Sequence, residues 1–166
     1  MHNIQITKVL RTKEAVKIEY VSDEDRNGTT ETNSHKSVMK FVPHKDFIDA
    51  MNDLSVHMVE LCEFSTKVLH DETFTVNGIA VSNKSDFSGV KILGHKTLSD
   101  GRIVGIVAPF TVLDAETSTY KSIANLMDCV ECLQCEAVEY LEGKHALGGK
   151  QLGIIDDYAP EKLKAA

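Results

Sequence analysis

The chain predicts an α+β fold, with antiparallel sheet and the element order βββ-α-βββ-α. Two observations carry this: short segments whose apolar residues alternate with polar ones, joined by turn signals, and two longer stretches whose apolar residues recur at three- and four-residue steps. The 166 residues suffice for one domain with a real core. That domain is expected over residues 1–143, with residues 144–166 as a flexible C-terminal tail.

The opening predicts a hairpin. Ile4, Ile6 and Val9 form its first strand, and Val16, Ile18 and Tyr20 follow at strict period two across Thr12 to Glu14. The polar run SDEDRNGTTETNS contains Asn27-Gly28, the strongest short turn signal, and is expected to be a mobile loop before a third strand near Val38 to Val42. Pro43 preorganises a helix start, and Phe47, Met51, Leu54, Met58, Leu61 and Cys62 extend one long amphipathic helix to about Phe64. Strands follow over Thr73 to Ser82, Phe87 to Leu98 and Arg102 to about Val112, the last expected at an edge or broken at Pro109. Thr117, Ser118 or Thr119 is expected to cap the second long amphipathic helix, which stops at Gly143. The glycines and charges beyond it give little that packs as a regular element.

Cys129, Cys132 and Cys135 lie in that second helix. At about 3.6 residues per turn its apolar stripe is Ile123, Leu126, Met127, Val130, Leu133, Ala137 and Leu141, and the cysteines fall on the other side among Asp128, Glu131, Glu136 and Glu139. They are therefore expected at a partner or oligomer interface. Cys129 and Cys135 are separated by roughly 9 Å along the axis, too far to share one tetrahedral ion, and the ferredoxin run would continue to Cys-Pro where this chain has EAVEY. No metal and no cofactor is expected. Cys62 is expected in the core and His57 in solvent.

The formal charge of −7 is uneven, with five Lys/Arg against ten Asp/Glu in residues 111–166 and thirteen against fifteen before them. Such a surface repels a phosphate backbone, so nucleic acid is disfavoured as a partner. The balance reverses locally, where Lys84, Lys91, Lys96 and Arg102 outnumber Asp86 and Asp100. Lys91 and His95 share one strand face and Lys96 alternates to the other. Lys91, His95, Lys96 and Arg102 are thus the candidates to hold a small anion. No nucleophile elbow, P-loop or dinucleotide fingerprint occurs, so catalysis is not expected. No stretch approaches the roughly 20 apolar residues of a membrane span, and MHNIQITKVL lacks the layout of a signal peptide; a cytoplasmic protein is expected.

IQITKV, PHKDFIDAMNDL with VELCEF, and EAVEYLEGKHALGGKQLGI together resemble a family of small bacteriophage- and prophage-encoded proteins. The resemblance implies viral origin and action in the host cytoplasm, and carries no activity. Some members end in a peptide similar to those that sliding clamps bind. Here Gln151, Leu152, Ile154 and Ile155 occupy those positions, with Ile155 where the aromatic anchor would be. The leading expectation is a non-enzymatic homo-oligomeric binding protein that sequesters a host protein or a small, nucleotide-like anion in counter-defence. The alternative is a phage replication or recombination accessory that touches single-stranded DNA, or engages a replication partner through its tail. The low aromatic content counts against DNA.

Overall fold

A computed structural model describes residues 3–84 and 87–146. It is α+β, an antiparallel sheet with helices on one face. Strands β1 (Asn3–Arg11), β2 (Val16–Arg26), β3 (Thr29–Met39), β4 (Phe74–Lys84), β5 (Phe87–Thr97) and β6 (Ile103–Val107) lie in the order β3-β2-β1-β4-β5-β6. Strand β7 (Thr111–Val112) also pairs with β5, further along it. Between β3 and β4 run α1 (Lys45–Asn52), α2 (Ser55–Leu61) and a 3₁₀ turn (Thr66–His70), and α3 (Ile123–Leu141) follows the sheet.

The core forms where the apolar sheet face meets the helices. Ile6, Val9, Val16, Ile18, Val76, Ile79, Val90 and Ile92 are buried in one cluster with Phe47, Met51, Leu54, Met58, Leu126, Leu133 and Tyr140. Ile6 and Val9, like Val76 and Ile79, are three residues apart. A register shift in each strand, between Ile6 and Lys8 and between Val76 and Gly78, turns both members of each pair inward.

Four expectations change. The polar run after Val21 is a long hairpin, not a mobile loop: β2 and β3 pair along their full length through Asn27-Gly28, with φ of 53° and 79°. Those positive angles are what a two-residue turn with matching twist requires. Cross-strand polar contacts, Thr32 to Asp23 at 2.7 Å and Thr30 to Asp25 at 2.9 Å, hold a ladder that has no apolar alternation to reveal it. The first long helix is two short ones, because Leu54 N–H bonds back to Met51 O in a tightened three-residue step before Met58 N–H picks up Leu54 O. The last helix starts at Ile123, and Ser118 instead accepts the Tyr120 N–H within the preceding turns. His57 is 2% exposed, not in solvent.

Pro109 does break the last strand, leaving β6 against Leu93–Thr97 and β7 against Gly89 and Val90. Gly143, at φ 107°, ends α3 where expected. Lys144 to Ala146 still belong to the packed structure. The Ala146 N–H bonds to Val42 O at 2.8 Å, His145 stacks on Phe41 with centroids 4.4 Å apart, and Lys144 Nζ reaches Asp46, Glu136 and Glu139 at 2.6–3.0 Å. Gln151, Leu152, Ile154 and Ile155 lie outside the described residues. Among the described residues no helix is long and apolar enough to cross a membrane.

Candidate ligand-binding cleft

The face of the sheet away from the helices carries Lys91, opposite Ala80, and His95, opposite Thr75. The two share this face, as their spacing predicts, and border different hollows on it. Lys96 and Arg102 go elsewhere. Lys96 pairs with Asp71 at 3.7 Å, and the Asp71 carboxyl lies below the usual carboxylate range because Thr73 donates to it twice and Lys96 is near. Arg102 Nε donates to Asp100 Oδ2 at 2.6 Å within the β5–β6 turn. Each of these cations already has an acid a few residues from its own or its neighbouring strand.

Beside His95 opens a cleft of about 570 Å³, lined by Arg11, Thr12 and Lys13, by Thr75 and Asn77 of β4, and by Ile103 and Gly105 of β6. Local sequence sets its walls. The Thr12 hydroxyl donates to Ala15 O and accepts the Ala15 N–H, both at 3.1 Å, closing the tight β1–β2 turn that presents Arg11 and Lys13. Asn77 sits at the β4 register shift, a device that re-aims a side chain. Arg11 Nε and Asn77 Oδ1 are buried without a hydrogen-bond partner among the described residues. Leaving a buried polar group unpaired costs about 1–3 kcal/mol, so both atoms gain from a partner once their side chains turn toward the cleft. Burial also holds the Arg11 guanidinium below its ordinary pKa. Arg11, Lys13 and Lys91 form no ion pair among the described residues.

A second hollow of about 520 Å³ lies around Lys91, between Phe87 and Phe110. The Phe110 ring covers Gly89 so closely that a Cβ there would sit 2.1 Å from it. The open face therefore places cationic groups beside exposed aromatic ones. Sequence reasoning missed Arg11, Thr75, Asn77 and Phe110. The β4–β5 pairing sets Thr75 opposite His95 with Asn77 two residues along, and only the long-range pairing of β1 with β4 brings Arg11 to them, which no spacing in the chain encodes.

Two other constellations lie on the helices. His57 sits between α2 and α3, with Nδ1 2.9 Å from Tyr120 Oη and Nε2 2.8 Å from Asn125 Oδ1, and Tyr120 donates to Glu60 at 2.6 Å. Burial and the Glu60 contact push the Tyr120 phenol well above its ordinary pKa. This network ties the first helical pair to α3. On α3, Cys132 and Cys135 are exposed, whereas Cys129 is half-buried with its thiol 3.7 Å from Asn125 Oδ1. The Cys129 and Cys132 thiols are pushed up, by burial first and then by carboxylates including Asp53 and Glu136. Cys135 edges a pocket of about 290 Å³ between α3 and β1. Cys62 is half-buried against the core, and burial raises its thiol too. Among the described residues no group of three His, Cys, Asp or Glu is placed to hold a metal ion.

No family model, curated protein or solved structure matches the chain.

Proposed function

We propose that this is a non-enzymatic binding protein whose open sheet face holds a small anion of the nucleotide class, with the charged end at Arg11, Lys13 and His95. The observation that carries the reading is that Arg11 and Asn77, which line one cleft, each hold a polar atom without a partner among the described residues, the Nε and the Oδ1 just beneath its surface. A guanidinium N–H directed at a phosphate or carboxylate makes a charge-assisted bond of the stronger kind. The Asn77 oxygen accepts only from a donor, which favours a ligand carrying an N–H or O–H as well as an anion. Lys91 with Phe87 and Phe110 offers a second cation and flat apolar surface on the same face. In the phage setting that the resemblance implies, withdrawing such an anion from the host is the counter-defence consequence.

Calorimetry with adenosine 5′-monophosphate and inorganic phosphate tests this. Binding is expected, and Arg11→Ala should weaken it about tenfold or more, the loss of one charge-assisted hydrogen bond. Lys96→Ala and Arg102→Ala should leave it unchanged, since both cations are engaged by aspartates. An absence of heat with both probes at millimolar concentration, or an Arg11→Ala protein that binds as tightly as the parent, refutes the assignment.

A further inference from the structure

The two edges of the sheet differ. Edge strand β3 carries Glu31, His35 and Lys36 among hydroxyl residues, the kind of edge that resists pairing with another chain. Edge strand β6 reads Ile-Val-Gly-Ile-Val, has no charge, and exposes Ile103 by 59%, Val104 by 46% and Val107 by 60%. Both of its side-chain faces are thus open, which is the pattern natural sheets avoid unless something covers it.

The backbone shows what kind of group covers it. Leu98 N–H bonds to Arg102 O at 2.7 Å and Ala108 N–H bonds to Ile92 O at 2.9 Å, within a register that sets His95 opposite Gly105. Hydrogen-bonded and non-hydrogen-bonded pairs alternate along an antiparallel ladder, so the even-numbered residues of β6 turn their N–H and C=O toward β5. Ile103, Gly105 and Val107 turn theirs outward. Those three outward residues match themselves under a two-fold axis through Gly105. Gly105 exchanges both bonds with its counterpart, and Ile103 does so with Val107 of the second copy. Ile103 then lies beside that Val107 on one face and Val104 beside Ile106 on the other, while Arg102 meets Ala108 and no like charge. A Cβ at Gly105 would touch nothing within 4 Å, so packing inside one copy gives no reason for glycine there, whereas the two-fold brings two backbones together at that residue.

We infer that β6 is a self-pairing edge: two copies join antiparallel through Ile103–Val107 into one continuous sheet, bringing their two clefts, both lined by Ile103 and Gly105, next to the two-fold axis. The occupant is a second copy. A chain with net charge −7 repels itself elsewhere, and this uncharged, self-complementary strand offers a contact without that repulsion.

Sedimentation equilibrium of the full chain from micromolar to submillimolar concentration should show a dimer. The double variant Ile103→Lys, Val107→Lys sets like charges opposite each other and should weaken dimerisation about a hundredfold or more, with unchanged far-ultraviolet circular dichroism. The variant Ile103→Lys, Val107→Glu sets Lys opposite Glu in this register alone and should retain the dimer. A monomer throughout overturns the inference, as does a dimer indifferent to Lys/Lys. Loss of the dimer in both variants overturns the register, and a monomer that binds a foreign extended peptide along β6 reassigns the edge.

Discussion

Among the described residues Tyr140 is the largest side chain fully withdrawn from water, and its hydroxyl donates to Phe41 O at 2.6 Å while its ring lies 5.6 Å from that of Phe47. It joins the end of α3 to the segment that enters α1. Lys144, three residues past the end of α3, binds Asp46 at the start of α1, and this holds the Asp46 carboxyl below its usual range. The entry to α1 and the turn that follows α3 thus meet in space. Burial raises the Tyr140 phenol to about 12. A raised folded-state value means that between the ordinary phenol value near 10 and about 12 the folded chain holds a proton the unfolded chain has lost, so stability is complete below that window and falls as pH rises through it. Urea unfolding at pH 8 and pH 11 checks the sign. Tyr140→Phe should cost about 0.5–1.5 kcal/mol at pH 8 for the lost hydrogen bond, and should show a smaller further loss at pH 11 than the parent.

At the level of elements, apolar periodicity made β1, β2, β4 and β5 legible, as well as the inward stripe of α3, where Ile123, Leu126, Val130, Leu133 and Ala137 are buried as expected. Tyr140 escaped that reading because a tyrosine gives a weaker apolar signal than its burial warrants. The β2–β3 hairpin escaped for the opposite reason. Its strands are held by backbone ladder and polar cross-strand contacts, and a hydrophobic pattern has nothing to register. Its turn was nevertheless legible, since Gly28 at φ 79° tolerates the left-handed region that a side chain resists. Gly28→Val should therefore destabilise by about 1–2 kcal/mol, read from the midpoint of chemical unfolding, although a Cβ there meets no neighbour. A loss near zero would show that the hairpin tip contributes nothing to global stability.

For the molecule as a whole, one apolar sheet face and three helices share a single core, and the opposite face is left to carry cations and aromatics. Leu133 is fully buried in that core from α3, so Leu133→Ala should cost about 2–5 kcal/mol in urea unfolding. A loss below 1 kcal/mol, well short of that range, would mean that α3 packs more loosely than described. Ligand affinity of the folded fraction should stay unchanged, because Leu133 lines neither open-face hollow.

By itself the sequence determined the α+β class, most strands, the stop at Gly143, the outward placement of Cys132 and Cys135, and the shared face of Lys91 and His95. All of these follow from local periodicity, which one stretch of chain contains in full. Only the tertiary structure decided that Arg11, Asn77 and His95 wall one cleft, that His57 is buried between helices, and that β6 is an open apolar edge. Each depends on which distant segments become neighbours. That is settled by the summed burial and hydrogen bonding of the whole chain, and no single window of residues holds it.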